Sequence, residues 1–396
     1  MSTLNTTALL ADANTHRLVL QATLVPVTGD LFQPAGFPDI GHVIYDAPRP
    51  DGSKEKVCVV DSAASMANHL EAVSLASKET LELHPDLDGI PFVQCVTGEK
   101  GEDGKLTKSE LVVSTLSEGH RLASSYFLDD KSKVVEGDKV SEKNFGAVLR
   151  EAFGIRDLGK KTHPLPGDWW NVFRTIFRYD PNSLVHGILF PAMGIKLSRV
   201  LTAHHEAFGA DRVGLSGVKF DKLGKTTSGQ PIFSVDKETA REIRATFVID
   251  LSLIRSFGRD VTKKEQGAPK TFLGLTDDQK CFLLELALWK IGQLLSSPYK
   301  FRSGCDLKCS KLVQVSGKSN DDLAPEKLGA GLKDLLATKG DSLWQEKNEK
   351  GESTAIQKDK RITKVYWPSE ELFKAGKDDN KDTENGDGDS GDDSAD

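Results

Sequence analysis

The alternation of apolar and polar residues along the chain predicts strands and helices in turn. Short apolar runs rich in β-branched residues predict buried strands, and apolar residues at intervals of three and four predict helices. A strand–helix unit is predicted over 56–75, and further strands over 17–26, 91–96, 184–190, 246–254 and about 306–315. Further helices are predicted over 111–128, 144–153, 168–178, 198–210 and 281–295. The last of these has apolar residues on most of its sides, which indicates a buried helix.

Long polar or Gly- and Pro-rich segments interrupt these elements. This pattern predicts an α+β core with large insertions, and the candidate insertions are 30–55, 97–165 and 258–275. We expect the core with its insertions to cover 1–320, a C-terminal extension to cover 321–377, and a disordered acidic tail to cover 378–396.

The stretch KVCVVDSAASMANHLE, residues 56–71, changes from a strand pattern to a helix pattern at Asp61 and Ser62, either of which can cap a helix. At helical spacing the apolar residues face a core. Short polar side chains are left on another side: Ser62, Ser65, Asn68 and His69. This polar side fits three roles: it holds a nucleophile, it is a solvated face behind an ordinary cap, or it lies beside a phosphate-rich ligand.

The size and composition of the chain are those of a globular protein. Its 396 residues, 38% of them hydrophobic, allow one large domain with insertions or two domains. Five cysteines at irregular spacing are typical of a reducing cytoplasm. No apolar stretch approaches the roughly 20 residues that span a bilayer, and the N-terminal residues lack a secretory pattern. We therefore expect a cytoplasmic protein.

The net charge of −7 is concentrated in one segment. Residues 378–396 contain nine acidic residues and one lysine, a net charge of −8, which leaves +1 for the rest of the chain. The overall acidity therefore does not exclude a nucleic-acid partner. One hypothesis is that this tail shields a nucleic-acid groove before RNA arrives; the alternative is a solubilising segment.

Several enzyme motifs are missing. Ser62 lacks the flanking glycines of a hydrolase nucleophile elbow, so a helix cap is favoured over catalysis. His204 and His205 are adjacent and lack the H-E-x-x-H spacing, and Cys305 and Cys309 have no second pair, so a metal site is weakly indicated. Neither glycine-rich nucleotide motif occurs.

Two segments are rich in cations. Residues 196–225 contain six Lys or Arg against three acids, and residues 290–311 contain five against Asp306 alone. Tyr299 and Phe301 lie within the second segment. Such segments can neutralise phosphates while aromatic rings stack on bases, although a solvated face explains the composition equally well.

Five phrases in a fixed order resemble a known family. They are FQPAGFPDIGHVIYDAP (32–48), VVDSAASMANHLE (59–71), DPNSLVHGILF (180–190), SGVKFDK (216–222) and LALWKIGQLL followed by FRSGCDLKC (286–309). Together they resemble the CRISPR-associated Cas seven backbone subunit of type I-G (formerly I-U) Cascade complexes, over residues 17–315.

The resemblance implies an RRM- or ferredoxin-like RAMP palm with inserted thumb and finger regions, of which 97–165 is the largest thumb candidate. It also implies a non-catalytic subunit without a cofactor or metal, many copies of which stack along a CRISPR RNA whose guide pairs with a target DNA strand. The implied partners are this RNA, further copies, other Cascade subunits of the Cas five, Cas six and large-subunit types, and a separate helicase–nuclease. Such a subunit must hold every guide alike, so its contacts should go to phosphate and sugar.

The matching phrases supply the predicted RNA-binding residues. Short polar groups at a helix N-terminus suit a phosphate, because the positive end of the helix dipole faces it. Ser216, Lys219 and Lys222 are favoured over the others. The full set is Gln33, Phe37, Ser62, Ser65, Asn68, Asn182, His186, Ser216, Lys219, Lys222, Arg302 and Lys308.

Two other functions compete with this interpretation. Related subunits of type III complexes cut target RNA through a loop aspartate, a role that Asp39 or Asp221 would take here. The third hypothesis is a cytosolic metalloenzyme built on the histidines and cysteines.

Overall fold

The fold is taken from a computed structural model of the chain. The structure describes residues 4–37, 41–77, 79–156, 164–214, 237–262, 271–316, 323–347 and 353–368. The predicted tail at 378–396 lies outside these ranges, as do Ser216, Lys219 and Lys222. None of the helices in the described ranges has the length and hydropathy needed to cross a bilayer.

The helices are spread along the chain and vary in length from one turn to five. In chain order they are α1 (Thr6–Ala11), α2 (Ala63–Ala72), α3 (Ser125–Leu128), α4 (Phe145–Ala152), α5 (Trp169–Tyr179), α6 (Pro181–His186), α7 (Leu251–Ser256), α8 (Asp277–Leu295) and α9 (Gly331–Leu343).

The strands form two larger sheets and several two-stranded pairs. In chain order they are β1 (Arg17–Pro26), β2 (Gly36–Phe37), β3 (Gly41–His42), β4 (Ile44–Pro48), β5 (Lys54–Asp61), β6 (Leu75–Ser77), β7 (Glu82–Leu83), β8 (Phe92–Lys100), β9 (Leu106–Ser114), β10 (Lys133–Glu136), β11 (Lys139–Asn144), β12 (Ile155–Arg156), β13 (Leu165–Pro166), β14 (Ile188–Phe190), β15 (Ile195–Leu197), β16 (Leu201–Phe208), β17 (Asp211–Val213), β18 (Lys237–Thr239), β19 (Glu242–Asp250), β20 (Gly258–Asp260), β21 (Phe272–Gly274), β22 (Tyr299–Arg302), β23 (Cys305–Gln314), β24 (Gln345–Lys347), β25 (Ser353–Ala355) and β26 (Ile362–Tyr366).

The larger sheet has the strand order of a ferredoxin-like fold at its centre. Its seven strands run β22-β23-β1-β19-β16-β5-β4, and all neighbours are antiparallel. Along the chain, the central four alternate with two helices as β1, α2, β16, β19, α8 and β23, which is the β-α-β-β-α-β pattern of the ferredoxin-like motif. The predicted α+β class with a RAMP-type palm is therefore confirmed.

The core lies on one face of this sheet. In β1 the side chains of Leu18, Leu20 and Leu24 are buried, whereas the alternate residues Gln21 and Thr23 are half-buried. The same alternation runs along β19. Successive side chains of a strand point to opposite faces, so the buried residues of β1 and β19 share one face of the sheet. The helices α2 and α8 pack against the sheet, and the half-buried residues lie on the opposite face.

The N-terminus of α8 is fixed by a capping box. Thr276 Oγ1 accepts a hydrogen bond from the Gln279 N–H (3.3 Å), and Gln279 Oε1 accepts one from the Thr276 N–H (2.9 Å). Both bonds satisfy backbone donors that the helix itself leaves unpaired. The cap therefore sets where this buried helix starts.

We expect Thr276→Ala to lower the free energy of unfolding by about 1 kcal/mol, because the alanine cannot accept the capping bond. Urea unfolding followed by circular dichroism measures this change. Thr338→Ala is the matched control: Thr338 lies inside α9 and bonds only the Asp334 carbonyl of its own helix, so this variant should lose nothing. Equal stabilities of wild type and Thr276→Ala would contradict the assignment of the cap.

The second sheet combines residues that are far apart in the chain. Its order is β11-β10-β26-β8-β9, and β26 pairs parallel to β8 and antiparallel to β10. Most of its strands come from the predicted insertion 97–165 or its border, but β26 comes from the predicted extension 321–377. The extension thus supplies the central strand of this sheet.

Three predictions of secondary structure are wrong. Residues 198–210, predicted as a helix, contain the central strand β16. Residues 111–128, also predicted as a helix, contain the end of β9 and only the short helix α3. Residues 184–190, predicted as a strand, hold the end of the buried helix α6 and the short strand β14.

The remaining predicted elements are confirmed to within a few residues. The strand at 17–26 is β1, the strand–helix unit at 56–75 is β5 with α2, and the helix at 281–295 is α8. The strand at 91–96 is the first part of β8, and the strand at 306–315 is β23. The predicted strand 246–254 is β19 in its first half but turns into α7 after Asp250.

Candidate nucleic-acid interface

The junction between β5 and α2 is held by its own polar residues. Ser62 is the N-cap of α2, and its hydroxyl accepts a hydrogen bond from the Ser65 N–H (3.1 Å). The Ser62 N–H in turn donates to Asp61 Oδ1 (3.0 Å). Ser62 is exposed, so the first turn of α2 borders the surface.

Asp61 joins this junction to the β22–β23 hairpin. Its side chain is only 1% exposed and accepts bonds from Ser65 Oγ (2.9 Å), His69 Nε2 (3.1 Å) and Arg302 Nη2 (2.6 Å). Burial by itself would raise the pKa of Asp61, but the hydrogen bond from His69 and the charge of Arg302 outweigh it and hold that pKa below its usual value. Asp61 is therefore a buried carboxylate bound by several donors.

This geometry does not form a nucleophile. Ser65 Oγ and His69 Nε2 both contact Oδ2 of Asp61, so the same imidazole nitrogen faces the serine and the carboxylate. A catalytic triad needs the carboxylate on one ring nitrogen and the serine on the other. Here the second nitrogen, Nδ1, contacts the hydroxyl of Tyr299 (3.1 Å). The network is suited to positioning rather than to attack.

Arg302 links three segments of the chain at this point. Its Nη1 donates to the Val60 carbonyl (2.7 Å) and lies 3.5 Å from the Gln33 carbonyl. The Gln33 N–H donates to the Gly304 carbonyl in the β22–β23 turn (2.8 Å). The structure thus brings four predicted site residues together: Gln33, Ser62, Ser65 and Arg302.

A cleft of about 500 Å³ lies beside Arg302. Its walls come from the segment after β1, the start of β18 and the β22–β23 hairpin, and its charged residues are Asp30, Lys237, Lys300, Arg302 and Asp306. Lys237 is half-buried and Lys300 is exposed, and within the described ranges neither forms an ion pair. These two ammonium groups are available to an anionic ligand.

Lys308 and Asn68 lie elsewhere. Lys308 is exposed on β23 opposite Val25, on the sheet rather than in the cleft. Asn68 is exposed two turns into α2 and lines a different cleft, of about 490 Å³, together with Glu71 and Leu116. Those predicted residues that the structure describes therefore do not form one continuous site.

Asn182 and His186 are inside the protein. Each is 1% exposed, and both lie in the buried helix α6 where a turn leading into a buried strand was predicted. Neither side chain makes a hydrogen bond to the described protein atoms. An RNA at the surface would not reach them, so their placement does not support the predicted contact.

A buried ionic cluster lies next to His186, and no sequence pattern predicts it. Arg121 pairs with Glu71, and Glu71 Oε1 lies 3.5 Å from His186 Nδ1. Lys290 is fully buried, donates to the Leu70 carbonyl (3.2 Å) and to Ser74, and burial lowers its pKa to about 8. Lys290 is therefore not part of a surface patch, although its sequence neighbours in β22 and β23 are.

Some predicted residues cannot be placed. Ser216, Lys219, Lys222, Asp221 and Asp39 lie outside the described residues, and so does the side chain of Phe37, whose backbone pairs with Gly41. The chain leaves the described structure after β17 and re-enters at β18, where Val213 pairs with Lys237. The segment that carries the favoured lysines is thus attached next to the cleft.

The metal hypothesis finds no support in the ranges that the structure describes. They contain no group of three or more His, Cys, Asp and Glu side chains placed to hold a metal ion. His204 and His205 lie on opposite faces of β16, one exposed and one buried. Cys305 is buried, and burial raises the pKa of its thiol to about 12, which disfavours the thiolate form that binds metals.

One protein-family model matches part of the chain. No curated protein matches it. Residues 18–212, just under half of the chain, match the family described as CRISPR-associated protein GSU0053. This region contains β1, α2 and β16, which are three of the six elements of the ferredoxin-like core. Over these residues the chain is similar to this CRISPR-associated family.

Proposed function

We propose that this protein is a non-catalytic subunit that binds CRISPR RNA and oligomerises along it, forming the helical backbone of a type I-G Cascade complex. Its partners would be the guide RNA, the target DNA strand that pairs with the guide, further copies of the chain, and the other Cascade subunits with their helicase–nuclease. The family match and the RAMP-type palm support this proposal.

The observation that carries the proposal is the position of the cleft. Lys237 and Lys300 line it without a carboxylate partner in the described part of the chain, and Arg302 connects it to the N-terminal end of α2 through Asp61. Ammonium groups in a cleft favour phosphate, whatever base it carries. Contacts of this kind leave the bases free to pair with a target.

Titration of labelled RNAs of increasing length at two salt concentrations tests the proposal. We expect sequence-tolerant binding that weakens with salt, and particles that lengthen with the RNA in electron micrographs. Replacing Lys237 and Lys300 by alanine should remove two phosphate contacts. This lowers the salt slope by about 1.4 and weakens binding about 25-fold at 0.1 M salt.

The control is Lys54→Ala/Lys56→Ala, which removes the same charge from exposed positions at the end of β5 that lies away from Asp61. This variant should bind like wild type apart from a small general effect of charge. Equal losses in the two double variants would refute the cleft as the binding site. A wild-type protein that ignores RNA with or without the partner subunits would refute the proposed function itself.

A further inference from the structure

Two lysines of the cleft form no ion pair in the described structure. Asp30 and Asp306 also line the cleft, and Asp306 lies opposite Lys300 in the β22–β23 pair, but neither carboxylate forms an ion pair with Lys237 or Lys300. Arg302 differs, because Asp61 already neutralises it. An anionic chain that enters the cleft can pair with the two lysine ammonium groups, which is electrostatically favourable. The question is which anion occupies it when no RNA is bound.

The chain itself contains a polyanion. Residues 378–396 hold nine acidic residues and one lysine among 19 positions, with one alanine as the only residue that is both apolar and larger than glycine. Fully extended, such a segment presents one negative charge about every 7 Å. Its main recognisable feature is a row of closely spaced negative charges. A nucleic-acid backbone presents the same feature to a protein that binds it without regard to sequence.

The distance along the chain is sufficient. The described structure ends at Pro368, next to Trp367, whose N–H donates to the Val96 carbonyl in β8. The 28 residues that follow can span up to about 95 Å. A folded chain of this length has a radius of gyration of about 21 Å. The segment can therefore reach the cleft of its own molecule from any point on the surface.

We propose that the acidic segment 378–396 occupies the cleft of Lys237, Lys300 and Arg302 in the absence of RNA, and that RNA displaces it. This inference rests on the proposed function, because it assigns a competitor to the same site. A tethered competitor acts at a high effective concentration, so even weak contacts keep the cleft filled. Short or incidental nucleic acids are then excluded, whereas a long RNA that binds several copies still competes successfully.

Three forms of the full protein test this proposal: wild type, a truncation after residue 377, and a full-length variant whose nine tail acids are changed to Asn or Gln. Binding of a short labelled RNA is measured by fluorescence anisotropy at low and high salt. If the cleft is free in one tenth of wild-type molecules, both altered forms bind about tenfold more tightly. The difference should shrink at high salt, because screening weakens the contact of the segment with the cleft.

A second measurement separates docking from general repulsion. Zero-length carbodiimide cross-linking of wild type, followed by mass spectrometry, should join acids of 378–396 to Lys237 or Lys300, and an excess of RNA should abolish these cross-links. In the Lys237→Ala/Lys300→Ala background, truncation should no longer change RNA affinity. The Lys54→Ala/Lys56→Ala background should keep the effect of truncation.

Each outcome decides one point. Equal RNA affinities of the wild type and the truncated form overturn the inference and leave the proposed function standing. A difference in affinity without cross-links to the cleft also overturns it, since repulsion at a distance then explains the result. If none of the three forms binds RNA, the proposed function fails, and the inference fails with it.

Discussion

We expect Asp61→Ala to lower the free energy of unfolding by about 3 kcal/mol, the lower end of the range for removing one partner of a buried ion pair. The carboxylate is 1% exposed and binds Ser65, His69 and Arg302 at once, so its removal leaves several donors without an acceptor. The Arg302 side chain is 24% exposed and can turn partly into water, which limits the loss. Urea unfolding at pH 7.5 measures the effect.

The matched control is Asp46→Ala, in the neighbouring strand β4, where the aspartate is exposed. Its removal should change stability by less than about 0.5 kcal/mol. A double-mutant cycle with Arg302→Met then isolates the pair, and we expect a coupling of roughly 1–3 kcal/mol. If Asp61→Ala were as stable as the control, the network would contribute nothing to the fold.

The second large effect concerns stability at acidic pH. We expect the stability of His205→Leu relative to wild type to rise by about 2 kcal/mol between pH 7.5 and pH 5. His205 is 1% exposed, and burial lowers its pKa from 6.5 to about 3, with Asp61, Arg302 and His69 as the nearest ionisable groups. The folded protein keeps this imidazole neutral down to about pH 3, whereas the unfolded chain protonates it below pH 6.5. The stability contribution is complete above pH 6.5 and falls as the pH drops.

Urea unfolding of wild type and variant at both pH values measures this difference. Variant and wild type must be compared at each pH, because burial raises the pKa of Asp180 to about 7. Protonation of Asp180 therefore stabilises the folded protein as the pH falls over the same range. His204→Leu is the control, since His204 lies next along β16 but on the exposed face. An unchanged pH dependence in His205→Leu would contradict the prediction, and so would the same change in His204→Leu.

The strand β16 shows why part of the fold could not be predicted. Its buried residues alternate strictly as Leu201, Ala203, His205 and Ala207, a pattern of period two. Two of them are alanines, which favour helices, and His205 counts as polar in any sequence pattern. The strand conformation is decided by pairing with the neighbouring strands β19 and β5 and by burial of one face of the sheet.

The helix α6 was missed for a different reason, and here the sequence did contain a signal. Its apolar run is too short to distinguish a buried strand from a buried helix by periodicity. However, Asp180 caps the helix by accepting from the Asn182 N–H, and Pro181 occupies the first helical position. Asp followed by Pro is a known helix start, so this pair predicts the helix.

The candidate site was predictable where it is local. Ser62 and Ser65 were found from the junction of strand and helix, and the structure confirms the cap. The grouping of Gln33 with Arg302 depends on contacts between residues 269 positions apart, which no local pattern encodes. For the same reason Lys290 was counted as a surface cation, although tertiary contacts with Leu70 and Ser74 bury it.

The position of β26 between β8 and β10 has a consequence for the order of folding. Ile362 pairs with Phe92, so these two strands meet only after the 269 residues between them have been synthesised. Until then, β8 and β10 each present an unpaired backbone edge, and such edges pair readily with other chains. Contacts over so long a stretch also slow folding. The nascent protein therefore passes through a prolonged period in which its second sheet is incomplete, and chaperone binding at β8 would protect it from aggregation during that period.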